Sequence, residues 1–344
     1  MRNFYDMTIT DWQEWVREKQ LPAFRAAQIH KWMARGVVDT ESMTDISKDL
    51  RAKITEDFYI GGLTIADKKI SAIDETTKYI FRLYDGNTIE SVLMKYKHGY
   101  SVCLSSQAGC KMGCTFCAST GAGFGRDLSY GEMLAQVAII GRDSGQRIGH
   151  VVIMGIGEPL DNYDNLVNFL KLANDPTGLN IGLRHISVST CGLVPDMLKF
   201  TDEGLPVTLS VSLHAPDQQI RERLMPIAKV YTYDKLLAAC RNHTEKTGRR
   251  ISFEYTMFRG INDQPAHARQ LAKQLNGMLC HVNLIAANEL ESGGYQASDR
   301  KTMQKFMQLL IQNGINATIR RELGSDIMAA CGQLRRSLEA CGKT

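Results

Sequence analysis

From about residue 100 onward the chain alternates strand-like and helix-like hydrophobic patterns, and this alternation limits the possible folds more than any other feature. Strand-patterned runs fall at 100–106, 150–155, 185–190, 207–213, 251–257 and 280–286. Helical periodicity covers 162–173, 195–203, 233–245, 266–275 and 299–312. Ser129 followed three residues later by Glu132 marks a helix start, because hydroxyl and carboxylate can each cap a backbone N–H of the other. Six strands separated by helices imply a parallel sheet with right-handed crossovers. A closed eight-stranded barrel usually takes about 250 residues, more than this region offers. The expected fold is therefore α/β, a partial (β/α)6 barrel, with its chemistry at the C-terminal ends of the strands.

The chain before this region reads differently. Leu21, Phe24, Ile29 and Trp32 lie roughly at helical spacing, and further apolar positions follow through Leu50 and Ile54. A small helical accessory domain over 1–75 is expected, followed by a core over 76–344. Within that core, 79–84 and 88–96 alternate with period two around the turn residues Asp85-Gly86-Asn87 and predict a β-hairpin extension.

No stretch approaches the ~18 uninterrupted apolar residues of a membrane span, and the first residues lack an apolar signal-like run. A cytoplasmic location with no membrane partner is expected. Nine cysteines, an odd number with three inside eight residues, argue against a secreted disulfide framework. The charge is uneven. Residues 1–100 hold 15 basic and 15 acidic side chains, whereas 295–344 hold 8 and 4, including Arg320, Arg321, Arg335 and Arg336. Such an end can meet phosphates, and a solvated helix face would have the same composition.

The cysteine cluster carries the chemistry. Cys110-Lys-Met-Gly-Cys114-Thr-Phe-Cys117 follows the first barrel strand in a loop. Three thiolates this close can wrap a [4Fe–4S] cube and ligate three irons, leaving the fourth open to a substrate. S-adenosylmethionine (SAM) can fill that position through its amino and carboxylate groups, ready for one-electron cleavage. Zinc is the competing metal, but it normally takes four ligands in paired CxxC spacing. Gly155-Ile-Gly-Glu158-Pro159 follows the next strand. Glycines there let the backbone approach a ligand closely, and Glu158 can accept hydrogen bonds from an ammonium group; a plain strand-end turn is the bland alternative.

CxxxCxxC with Phe116 before the last cysteine is similar to the signature of the radical SAM superfamily. Cys103-Leu-Ser-Ser-Gln-Ala-Gly-Cys110, Gly155–Pro159, Ser212-Leu-His214-Ala-Pro216 and Ala330-Cys331-Gly-Gln-Leu334 resemble the RlmN/Cfr family of rRNA adenine methyltransferases, in order over nearly the whole chain. Gly157-Glu158-Pro159 and Ala108 look more like RlmN-type members. Cys191 stands where relatives commonly have serine, and Ala286-Ala287 where they often carry proline.

The resemblance implies SAM contacts at Gly157, Glu158, Ser189, Ser212, Leu213, His214 and Asn288. It also implies a covalent route. One SAM methylates Cys331 and a second, cleaved at the cluster, activates that methyl group, which then joins the adenine ring. Cys103 resolves the protein–RNA adduct by attacking the Cys331 sulfur, giving a transient disulfide, and Glu90 accepts the ring proton. The implied substrate is carbon 2 of an adenosine in 23S rRNA, with adenosine 37 of tRNA as a second candidate. The partners are that RNA and a reductant such as flavodoxin or ferredoxin, acting on a monomer. A Cfr-type enzyme methylating carbon 8, a radical SAM enzyme with a non-RNA substrate, and a non-enzymatic iron–sulfur or zinc RNA-binding protein remain the alternatives. Cys191, Cys240, Cys280 and Cys341 read as structural.

Overall fold

The computed structural model describes residues 1–121, 123–288, 294–330 and 332–334. Its main sheet runs in chain order across the molecule. The strands are β1 (Leu63–Ile70), β2 (Thr77–Leu83), β3 (Thr88–Tyr96), β4 (Gly99–Cys103), β5 (Ile148–Ile153), β6 (Ile186–Thr190), β7 (Thr208–Ser212), β8 (Ile251–Met257), β9 (Cys280–Ala286) and β10 (Ala317–Ile319). β1 to β4 pair antiparallel. From β4 to β10 every neighbouring pair is parallel. The expected hairpin is present as β2–β3. The six expected parallel strands are joined by a seventh, β10, too short at three residues to leave a periodic signal.

The helices are α1 (Ile9–Glu18), α2 (Phe24–Ala34), α3 (Lys48–Asp57), α4 (Tyr130–Ser144), α5 (Tyr163–Ala173), α6 (Val194–Asp202), α7 (Gln218–Leu224), α8 (Tyr233–Thr247), α9 (Pro265–Leu275) and α10 (Arg300–Gln312). α4 opens on the expected capping box, with Ser129 Oγ accepting from Glu132 N–H and a Glu132 carboxylate oxygen accepting from Ser129 N–H. β8 illustrates why the sheet closes over a site. Ile251, Phe253, Tyr255 and Met257 are wholly buried apolar residues, whereas Ser252, Glu254 and Thr256 alternate with them on the other face.

The reading of the first 75 residues as helical fails at its end. Residues 63–70 form β1, an edge strand paired with β2. Its sequence is Leu-Thr-Ile-Ala-Asp-Lys-Lys-Ile, and all but Leu63 is exposed, so no buried face imposes a period-two pattern. Backbone pairing alone makes it a strand, and its charges suit an edge. The three preceding helices pack Phe4, Trp12, Trp15 and Phe58 as a tilted and edge-on aromatic cluster. This unit sits directly on α4. Asp6 Oδ1 accepts from Ser129 Oγ at 2.6 Å and from Gly131 N–H at 3.0 Å. Gly36, with φ +69°, lies so close that a β-carbon there would stand 2.3 Å from the Ala138 carbonyl oxygen.

Candidate active site

The C-terminal ends of β4 to β9 open onto one cavity, the usual place for a ligand in a sheet of this kind. Cys110, Cys114 and Cys117 line it, as do Gly157, Glu158, Ser189, Ser212, His214 and Asn288. Nine of the thirteen residues proposed from sequence thus share one wall-to-wall space, although 178 residues separate Cys110 from Asn288 in the chain.

The glycine turn after β5 is held from below. Gln107 Oε1 accepts from Glu158 N–H at 2.8 Å, while its Nε2 donates to Asp127 and Asp161, each at 2.8 Å. Gly157 has φ +107°, and a β-carbon would fall 2.6 Å from that of Gln107, so glycine is required. Glu158 is buried, and its two oxygens accept from Leu160 N–H (3.1 Å) and Cys191 N–H (2.7 Å). Burial raises its pKa and these two N–H groups pull it back. Carboxylate oxygens retain further lone pairs, so an ammonium can still be accepted.

His214 has φ +53°, a left-handed conformation rare outside glycine. The strain is held by Asn262, whose Nδ2 donates to His214 O at 2.8 Å, and by Thr256 N–H, which donates to His214 Nδ1 at 2.9 Å. Nδ1 is therefore the acceptor, and the proton of the neutral ring sits on Nε2. Burial pushes the imidazole down to about 3, so it stays neutral at working pH. Phe116 packs edge-on against it, with ring centroids 4.8 Å apart.

The cysteine loop meets a metal's needs in its donor set. Burial pushes the Cys110 thiol up to about 12 and raises Cys114 too. Such thiols ionise only against strong positive charge, which iron supplies. Among the described residues no three His, Cys, Asp or Glu groups converge on a single ion; a cube takes one thiolate per iron, so its ligands stand apart.

Three proposed residues lie elsewhere, and a fourth, Cys331, falls outside the described residues. Leu213 is fully buried in the main core, its N–H donating to Glu254 O at 3.0 Å. Cys103 ends β4 in a second apolar cluster with Val92, Met94, Ile156, Leu323, Ala329 and Leu334. Glu90, on β3, is buried with an oxygen 3.4 Å from Lys78 Nζ. Arg335, Arg336 and Cys341 fall outside the described residues as well. The neighbours of Cys331 are described. Lys78 Nζ donates to Met328 O at 3.1 Å. Ala118 N–H donates to Gly332 O and Ser119 Oγ to Leu334 O, both at 2.8 Å. Gly332 lines the main cavity.

Sequence reasoning missed Cys191, Glu254 and Thr256 as cavity-lining residues, and it named Arg320 only as part of a basic end, not of the cavity it lines. For Glu254 and Thr256 a signal existed: polar residues alternate with apolar ones inside a strand that the topology makes central. Arg320 and Arg321 also line a smaller adjoining groove with Tyr96 and Ala330.

The sequence of residues 104–272 matches the radical SAM superfamily model, the class that the fold and the cysteine loop define. The ribosomal RNA large subunit methyltransferase N-terminal domain model matches residues 2–60. A probable dual-specificity RNA methyltransferase RlmN of Clostridium tetani is 48% identical over 98% of this chain and 96% of its own length. One from Alkaliphilus metalliredigens is 51% identical over 91% of this chain and 89% of its own. The crystal structure of a radical SAM methyltransferase from Sphaerobacter thermophilus superposes with a TM-score of 0.94 at 40% identity, covering 97% and 99% of the two chains. The chain belongs to the RlmN family.

Proposed function

We propose that this chain is a radical SAM RNA methyltransferase that adds a methyl group to carbon 2 of an adenosine in 23S rRNA and to adenosine 37 of tRNA. One observation carries the reading most. The segment flanking Cys331 is tied on one side to Lys78 beside Glu90 and on the other to the cysteine loop at Ala118 and Ser119. The described residues on either side of Cys331 reach both the cofactor cavity, which Gly332 lines, and the apolar cluster of Cys103, which Ala329 and Leu334 join.

Cys110, Cys114 and Cys117 would hold the [4Fe–4S] cluster. Bound there, the cluster and SAM supply a methyl group and a one-electron route to carbon-centred radical chemistry. Gly157, Glu158, Ser189, Ser212, His214 and Asn288 would hold SAM; Leu213, with its side chain in the core, is left to its backbone. The Cys331 thiolate accepts the methyl group, and after that group loses one hydrogen atom its carbon bonds to the ring. Glu90 takes the ring proton as the radical adduct gives up one electron, which would return to the cluster. The Cys103 thiolate then attacks the Cys331 sulfur, the sulfur–carbon bond breaks toward carbon, and that carbon takes up a proton to become the methyl group, leaving a disulfide for the reductant to reopen. The base must leave its stack to enter, as for other enzymes that act on base atoms. The groove lined by Tyr96, Arg320 and Arg321 offers an aromatic face and two guanidinium groups at the cavity's side.

Mass spectrometry of RNA nucleosides after anaerobic turnover with two SAM per methyl group consumed tests this. The expected product is 2-methyladenosine; 8-methyladenosine would move the assignment to carbon 8. Cys331→Ala should abolish RNA methylation while 5′-deoxyadenosine formation from SAM persists, and full methylation by that variant would exclude the covalent route.

A further inference from the structure

Among the described residues, one buried arginine has no carboxylate against its charge. Arg221, on α7, is wholly buried. Its Nη2 donates to the carbonyls of Cys191 at 2.6 Å and Ser212 at 3.2 Å, while Nε and Nη1 have no hydrogen-bond partner among the described residues. Neither acceptor is a carboxylate. Burying a guanidinium without an anion is strongly unfavourable, and leaving two of its N–H positions unmatched adds to the cost. The space is nevertheless shaped for it. Gly192 has φ +102°, and a β-carbon there would stand 3.3 Å from Arg221 Nη2 and 2.8 Å from Leu236 Cδ1.

The position of Arg221 says which anion is missing. Both of its acceptors belong to residues that line the main cavity together with Cys114. The helix that carries it also grips the cysteine loop: Leu224 O accepts from Thr115 N–H at 3.0 Å and from Thr115 Oγ1 at 3.2 Å. Three thiolates on a doubly positive oxidised cube leave one net negative charge, and one-electron reduction makes it two.

We propose that Arg221 is a positioning residue for the iron–sulfur cluster, a fixed buried cation that compensates the ligated cube and raises its reduction potential. This rests on the cluster assignment above. A fixed cation stabilises the reduced cube more than the oxidised one, because the reduced cube carries more negative charge. The carbonyls of Cys191 and Ser212 orient the guanidinium, and the cluster's field supplies the counter-charge that they lack.

The test is a reductive titration of reconstituted, SAM-free protein, with dithionite as electron source and the visible and electron paramagnetic resonance spectra as readout. Iron and sulfide content of the parent protein is measured first, and a parent without a cluster would sink the cluster assignment rather than this inference. Arg221→Gln is expected to bind less iron, or to shift the one-electron couple at least tenfold toward the oxidised form, 59 mV more negative. Arg221→Lys, which keeps the charge, should restore iron content and hold the couple within threefold of the parent. An Arg221→Gln protein with full iron content and an unshifted couple overturns the proposal. Should Arg221→Gln fail to fold, the lysine variant decides. A folded lysine protein with the parent's couple supports the role of charge; failure of both to fold, or a lysine couple shifted as far as expected for glutamine, assigns Arg221 to carbonyl capping and overturns it.

Discussion

Buried charge near the site is handled residue by residue. Lys78 and Glu90 form a pair with both side chains almost fully buried and Nζ 3.4 Å from the carboxylate. Removing one partner of such a pair leaves the other desolvated and alone, which typically costs about 3–5 kcal/mol. Lys78→Ala should therefore lower unfolding free energy in urea by that order, and it also releases the Met328 carbonyl. A loss below about 1 kcal/mol would mean that water reaches Glu90 in the native state. Sequence patterning could not find this pair. Lys78 and Glu90 sit on adjacent strands whose register pairs Ile80 with Glu90, and only that register brings an amine to the carboxylate.

Between elements, the packing of α6 on α8 contains a pH-sensitive contact. Thr201 Oγ1 donates to Met197 O at 2.8 Å, so its 2.8 Å contact with His243 Nδ1 is made by the ring's N–H. Nε2 is buried without a partner among the described residues. Burial, with Arg249 nearby, pushes His243 down to about 4 from an ordinary 6.5. Between those values the unfolded chain binds a proton that the folded chain refuses. This histidine's effect is absent above pH 6.5 and grows as pH falls toward 4, at about 1.4 kcal/mol per unit. Urea unfolding between pH 7 and 5 should show stability falling with pH, and His243→Gln should reduce that slope by roughly 1 kcal/mol per unit. An unchanged slope would place the effect on other groups. Element identity itself was largely legible in the sequence. β3, β8 and β9 follow the period-two runs within a residue or two, because each has one face or both forced into the core. β1 and α7 were not legible: one is an exposed edge, and the other spans only seven residues.

At the scale of the molecule, the N-terminal helices and the barrel share one continuous apolar core, from Phe4 and Trp12 through Val137 and Ile139 to Phe253. All three tryptophans, Trp12, Trp15 and Trp32, lie in the N-terminal unit. Tryptophan fluorescence therefore reports on that unit, and far-ultraviolet circular dichroism reports on the whole chain. Their urea transitions should coincide, as for one cooperative body. An earlier fluorescence transition would show that the unit unfolds alone. Among the described residues no helix is long and apolar enough to cross a membrane.

The sequence alone determined the alternation that makes a parallel sheet, the cysteine spacing and the glycine turn. These are local properties, written in short stretches through hydrophobic period, thiol spacing and the conformational freedom of glycine. Tertiary structure alone decided that Cys191, Glu254, Thr256 and Arg320 join the cavity, that Glu90 faces Lys78, and that Arg221 is buried with no carboxylate partner among the described residues. Those facts depend on strand register and on which face of each strand turns inward, and neither is set until the distant strands have paired.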